Sequence, residues 1–176
     1  DKNGHIPYSA EENAIWHDLI TRQVPMLPDR ACKPWIKAMN EMNFPNDRIP
    51  QLDEVSRVLK EHTGWSVAGV NALIPFTEFF QLLANRRFPV ASVIRSREDF
   101  AYIHETDVFH EVFAHTPPLA DHRFAAFGEA YVEAGLKASA QDHAMLARLV
   151  WFTVECGLVK TADGIRASGN GIVSSP

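Results

Sequence analysis

The sequence predicts a mainly α domain with a small β component, on three observations. Apolar residues recur at helical spacing through most of the chain, as in Ile15, Trp16, Leu19 and Ile20 or Leu52, Val55, Val58 and Leu59. The best strand candidate is one short β-branched run, Phe88-Pro89-Val90-Ala91-Ser92-Val93-Ile94-Arg95, bounded by turn residues. The 176 residues are 46% hydrophobic and 22% charged, which suits a single soluble domain with a sizeable core.

Taken in order, Ser9 and Glu12 have the spacing of a capping box and open a first helix. Its apolar face is Ile15, Trp16, Leu19, Ile20 and Val24, and Pro25 to Pro28 interrupt it. A second helix is expected from Asp29 to Met42 with Trp35, Ile36 and Met39 inward, followed by a turn over Asn43 to Asp47. The helix that begins near Leu52 should be capped by Gly64. Trp65 to Ile74 reads as extended or loop, with Gly69 as a break. Thr77 is a candidate N-cap for a helix carrying Phe79, Phe80, Leu82 and Leu83. Arg95 would close the strand as an exposed charge or, less commonly, as an anion clamp. Two further helices are expected over Phe124–Leu136 and Ala144–Glu155, then a turn at Asp163-Gly164 and an irregular strand over Arg166–Ile172.

Charge and composition narrow the partners. The net charge is −5 and there is no Lys/Arg block, which argues against nucleic acid and anionic membranes. No apolar run is long enough to span a bilayer, and Asp1-Lys2-Asn3-Gly4 lacks the character of a signal peptide. Cys32 and Cys156, far apart, read as free thiols of a reducing cytoplasm.

The chemistry concentrates in Asp107-Val108-Phe109-His110-Glu111-Val112-Phe113-Ala114-His115-Thr116-Pro117-Pro118. The apolar residues suit a short buried helix, and Pro117 should end it near His115. On an ideal helix, residues five apart point roughly 140° away from each other. His110 and His115 could therefore share an ion only if His115 lies where the helix unwinds. A zinc-protease motif needs histidines four apart, one residue fewer than here. The plainer alternative is a pair of satisfied core histidines. Against it stands Leu149-Val150-Trp151-Phe152-Thr153-Val154-Glu155, an apolar run ending in a carboxylate that is costly to bury unless paired or metal-bound. Two histidines and one carboxylate form the facial triad of non-haem Fe(II) enzymes. A Glu that simply reaches the surface at a helix end is the competing explanation.

These residues resemble the catalytic domain of the tetrahydropterin-dependent aromatic amino acid hydroxylases, bacterial phenylalanine hydroxylases above all. The matching segments are Arg48-Ile49-Pro50-Gln51-Leu52, Thr63-Gly64-Trp65, Phe79-Phe80, Leu83 to Pro89, Ile94-Arg95, Asp107 to Pro117, Trp151 to Glu155 and Gly171 to Ser175, and together they cover almost the whole chain. The resemblance implies one catalytic domain over residues 1–176, Fe(II) and tetrahydropterin as cofactors, and an aromatic amino acid and O₂ as substrates. His110, His115 and Glu155 would be the iron ligands. Phe79 would stack on the pterin, the backbone from Ala72 through Ile74 to Phe76 would bond its edge, and Glu111 would lie near it. Arg95 would grip the substrate carboxylate, assisted by Ser174 in the Gly171 to Ser175 segment. Trp151 would wall the substrate ring, and Asp107 would position Arg95 or a ligand histidine.

The chain departs from the family pattern at several places. Cys156 stands where the family has Phe, Val150 where it has Tyr, Ala114 where it has Gly, and Ser168-Gly169-Asn170-Gly171 where it has Tyr-Gly-Ala-Gly. Ile103-His104 and Glu105-Thr106-Asp107 also differ. Cys156 is expected beside the iron pocket, where the volume lost against Phe would let the ring tilt and yield meta-tyrosine; a small buried hydrophobe facing elsewhere is the alternative. The family continues with further helices beyond Ser175, which leaves a trimmed domain or an unusually open site. A ring monooxygenase is thus the expected activity. The rival is a decayed hydroxylase that binds without turnover, and tryptophan is the alternative substrate. A 2-oxo-acid-dependent iron enzyme would need a His-x-Asp pair that the sequence lacks.

Overall fold

Helix α1, Ala10–Gln23, begins where the sequence places it. Ser9 Oγ accepts from Glu12 N at 3.2 Å and Glu12 Oε2 accepts from Ser9 N at 2.7 Å, satisfying donors that a helix start leaves free. The computed structural model describes residues 5–70, 74–101 and 106–176. Ile15, Trp16, Leu19 and Ile20 are buried, but Val24 is exposed and opens a 3₁₀ turn with Pro25.

The helix expected from Asp29 is two helices. Helix α2 covers Leu27–Arg30 and α3 covers Lys33–Met42. Pro34 lacks an N–H and so fits the first turn of α3 but not the interior of a longer helix. Between them Cys32 N donates to Ala167 O at 2.8 Å, tying this corner to the C-terminal hairpin. Trp35 and Met39 are buried and Ile36 is partly so. Helix α4, Leu52–His62, carries its own capping box from Gln51 and Glu54, and Gly64 follows at φ +78°, the left-handed conformation glycine adopts freely.

Strand β1, Ser66–Val70, pairs in parallel with β2, Arg87–Ala91, across helix α5, Phe76–Ala84. Gly69 is therefore a strand position opposite Val90, not a break, and a Cβ there would come within 3.0 Å of Leu52 Cδ1. Pro75 is the N-cap of α5, and Thr77 lies inside the first turn. β2 stops at Ala91, short of Arg95.

The central element is a π-helix over Phe109–His115 that runs directly into α6, Thr116–Ala120. The expected stop at His115 does not occur, because Pro117 and Pro118 occupy the opening turn of α6, where a missing N–H costs nothing. Phe109, Val112, Phe113 and Ala114 are fully buried, and the Phe109 and Phe113 rings stack with centroids 4.8 Å apart. Helix α7 covers His122–Lys137 and α8 covers Ala140–Val150, starting earlier than its apolar pattern suggests because Ser139 caps it. α8 widens into a second π-helical turn, Trp151–Glu155.

Strands β3, Leu158–Thr161, and β4, Gly164–Ala167, form an antiparallel hairpin around the expected Asp163-Gly164 turn, with Gly164 at φ +105°. The irregular strand expected over Arg166–Ile172 gives way after Ala167 to a short helix α9, Asn170–Ser174. A Cβ on Gly169 would lie 2.4 Å from Glu155 O, so glycine is what lets this segment lie against the second π turn. Both cysteines are free, and among the described residues no helix is long and apolar enough to cross a membrane.

Candidate metal centre

The two π turns and α9 meet at His110, His115 and Glu155. Hydrogen bonds from i to i+5 stack residues five apart one turn above each other. The spacing that opposes two side chains on an α-helix thus aligns them here. His115 Nε2 lies 3.1 Å from His110 Nε2 and 2.9 Å from Glu155 Oε1, and His110 Nε2 lies 3.7 Å from Glu155 Oε2. One donor atom from each residue falls within 4.8 Å of the others.

The protonation states suit a cation. Burial, reinforced by the neighbouring His115, pulls His110 down to about 4, so its ring is neutral near pH 7. Burial alone would raise the Glu155 carboxyl. The His115 hydrogen bond, both histidines and the Gly171 amide outweigh it and hold the group below the usual range. Two imidazoles and one carboxylate are the donor set that non-haem Fe(II) takes.

Each of the three candidate ligands is held from behind. His110 Nδ1 lies 2.9 Å from Ser174 Oγ, and Ser174 Oγ donates to Asn170 O at 2.9 Å. Asn170 Nδ2 lies 3.1 Å from His115 Nδ1, and Phe88 stacks on the His115 ring at 5.0 Å. A Cβ on Gly171 would lie 3.1 Å from Glu155 Oε2. Ser174 and Gly171, read from the sequence as substrate contacts, therefore touch the ligand residues themselves. Asn170 and Phe88 carry no ligand role in the sequence reading; the signal for Asn170 was its departure from the family's alanine.

Arg95 and Asp107 come together as a buried pair, so Arg95 is not the exposed strand-end charge one could expect. Asp107 Oδ2 accepts from Arg95 N at 2.9 Å and from Nε at 2.8 Å; Oδ1 accepts from Nη2 at 2.9 Å and from His110 N at 2.9 Å. Asp107 thus bonds both Arg95 and His110.

A cavity of about 490 Å³ opens on this centre. His115, Glu155 and Glu111 line it beside Ile74, Phe79 and Phe88. Glu111 accepts from Ala91 N and, at 2.9 Å, from Thr106 Oγ1, while burial pushes its carboxyl up. Neither Trp151 nor Cys156 is among the lining residues, and Trp151 is 60% exposed. Phe152 and Thr153 of the same π turn are exposed as well. Ala72, Ile103, His104 and Glu105 lie outside the described residues.

Comparison with known proteins places this architecture. Phenylalanine-4-hydroxylase of Pseudomonas aeruginosa is 49% identical over 176 residues, covering 100% of this chain and 67% of that protein. That of Vibrio cholerae is 48% identical, over 99% of this chain and 61% of the relative. The chain thus spans about three-fifths to two-thirds of the curated relatives it matches best among these. The apo structure of the cold-active phenylalanine hydroxylase from Colwellia psychrerythraea superposes with a TM-score of 0.97 at 50% identity, covering 100% of this chain and 67% of that one. The cobalt-bound enzyme from Chromobacterium violaceum gives 0.92 at 42% identity, over 99% and 66%. With the family pattern matched over residues 1–176, the chain belongs to the biopterin-dependent aromatic amino acid hydroxylases.

Proposed function

We propose that this chain hydroxylates the ring of phenylalanine, using Fe(II), a tetrahydropterin and O₂. The observation that carries the reading is the convergence of His110, His115 and Glu155 on one point at the edge of an apolar, aromatic-lined cavity. These three residues would hold the iron. Iron and reduced pterin would together supply the activation of O₂, a chemistry no side chain provides.

The chain's own residues do the rest. Phe79 and Ile74 offer the pterin an aromatic ring and an apolar wall, and Glu111, fixed by Ala91 and Thr106, lines the same cavity. Asp107 locks the Arg95 guanidinium in one plane through its Nε and Nη2 edge. A planar fork held this way suits the carboxylate of an amino acid. The cavity walls are mostly apolar and aromatic, with Glu111, His115 and Glu155 among them.

Aromatic amino acid, pterin and O₂ are the partners this reading implies, and the cytoplasm is the compartment that suits two free thiols. The test is incubation with Fe(II), tetrahydropterin and, separately, phenylalanine, tyrosine and tryptophan. Phenylalanine should be consumed in step with pterin oxidation, and NMR reads whether oxygen enters at the para or meta carbon. Iron and pterin binding with no amino acid turnover would favour a decayed binding domain instead.

A further inference from the structure

We propose that Asn170 is a positioning residue that sets which nitrogen of His115 carries the proton, so that loading the metal at His115 requires the Asn170 amide to turn over. The inference rests on His115 being a metal ligand through Nε2.

Trp35 fixes the amide. Its indole nitrogen can only donate, and Nε1 donates to Asn170 Oδ1 at 3.3 Å. Asn170 is fully buried and Trp35 nearly so, which leaves the amide no water to turn toward. The Nδ2 group therefore faces His115 Nδ1 at 3.1 Å. An amide NH₂ is a donor, so His115 Nδ1 must accept, and the ring proton sits on Nε2.

The other contacts agree. His115 Nε2 sits 2.9 Å from Glu155 Oε1 and 3.1 Å from His110 Nε2, both acceptors for one N–H. His110 Nε2 is an acceptor because its Nδ1 faces Ser174 Oγ at 2.9 Å, and that hydroxyl spends its own proton on Asn170 O. The two ligand histidines are thus held in opposite tautomers. His110 has a free Nε2 lone pair ready for a cation, and His115 has a proton there.

A ligating histidine normally donates its second N–H to an acceptor. Asn170 meets that need only by presenting Oδ1 to His115 Nδ1, which turns its NH₂ toward the Trp35 N–H and breaks their bond. The Trp35–Asn170 hydrogen bond is the cost of loading. Asn170→Asp removes the conflict, since a carboxylate accepts from both sides.

The test uses Zn²⁺ as a diamagnetic probe. ¹⁵N NMR of the metal-free chain should show His115 protonated on Nε2 and His110 on Nδ1. Adding zinc should move the Trp35 indole N–H resonance in the wild type but not in Asn170→Asp. Trp35→Phe should tighten zinc binding about fivefold, the weight of one hydrogen bond, and should do nothing further in the Asn170→Asp background. His115 found protonated on Nδ1 without metal, or an unmoved Trp35 resonance on zinc binding, would overturn the assignment. Wild-type protein that takes up no zinc would overturn the metal reading beneath it, while the tautomers of the metal-free chain still report on Asn170 alone.

Discussion

Replacing Asp107 with Asn keeps the size of the side chain and removes only its charge. The consequences can be worked from the pair it makes. Both side chains of the Arg95–Asp107 pair are 4% exposed, and the carboxylate accepts from three Arg95 nitrogens and from His110 N. An amide has one acceptor oxygen, so part of this set is lost and a buried guanidinium is left without its counter-charge. Among the described residues no second carboxylate pairs with Arg95. Arg22 carries a guanidinium of its own, drawn down first by burial and then by the Arg95 charge. Breaking a buried pair on one side costs about 3–5 kcal/mol. For a chain of this length that is a fall in Tm of roughly 6–20 °C. Urea unfolding with an unchanged m-value is the assay, read against Arg95→Met and against the double replacement Arg95→Met with Asp107→Leu. Two apolar residues leave no orphaned charge, so the double variant should recover part of the loss, short of what the Arg95 and His110 N–H groups lose with their acceptor, while binding no amino acid. An Asp107→Asn protein within about 1 kcal/mol of the wild type, or a double variant as unstable as the two single losses combined, would refute this account of the pair.

Three further outcomes follow from the site. His110→Ala, His115→Ala and Glu155→Ala should each lose most bound iron, because a three-ligand set has no spare; full iron content in any one variant removes that residue from the set. Phe79→Ala should raise the pterin requirement more than the amino acid requirement, measured as separate KM values, since Phe79 lines the cavity rather than sitting deep in the core; a loss of about 3–5 kcal/mol in stability with both KM values unchanged would make it a packing residue. The metal-free chain should lose stability as pH falls from 6.5 toward 4. His110 drops from 6.5 unfolded to about 4 folded through burial, so the unfolded chain takes the proton first. The contribution is complete above pH 6.5, declines by about 3 kcal/mol across that window, and is flat below it. His110→Gln should abolish this slope in an unfolding series.

The helices with a strict apolar face were legible in the sequence, as were the Ser9–Glu12 cap and the Asp163-Gly164 turn, because each depends on residues near in sequence. What was not legible depended on partners far along the chain. The break between α2 and α3 is stabilised by Ala167, and the burial of Arg95 follows from Asp107. β1 needed its partner strand before Gly69 made sense as a pleated position. α9 is a helix in a glycine-rich stretch because Gln23 Nε2, from α1, donates to Val173 O at 2.8 Å and Ser175 O at 2.6 Å. No local propensity carries such information.

The ligand spacing is the sharper case. His110 and His115 cannot face one ion on an α-helix, and the proline after them suggested an unwound end. The helix instead widens and continues, which gives a different physical object. A frayed end would leave His115 free to move and would charge the metal for ordering it. Here His115 sits inside continuous helix, with Phe88 stacked on its ring and Asn170 bonded to its far nitrogen. His110 is fixed by Asp107 and Ser174. The Phe109–Phe113 stack and the fully buried Val112 and Ala114 fill the core side of the wide turn. A π turn is costly by itself, and packing of this density is what maintains it. The wide turn lies where it aligns two candidate ligands, and a second π turn delivers the third candidate, Glu155. Apolar periodicity tuned to 3.6 residues cannot register that change of pitch, so the metal centre was visible in its residue types and hidden in its geometry.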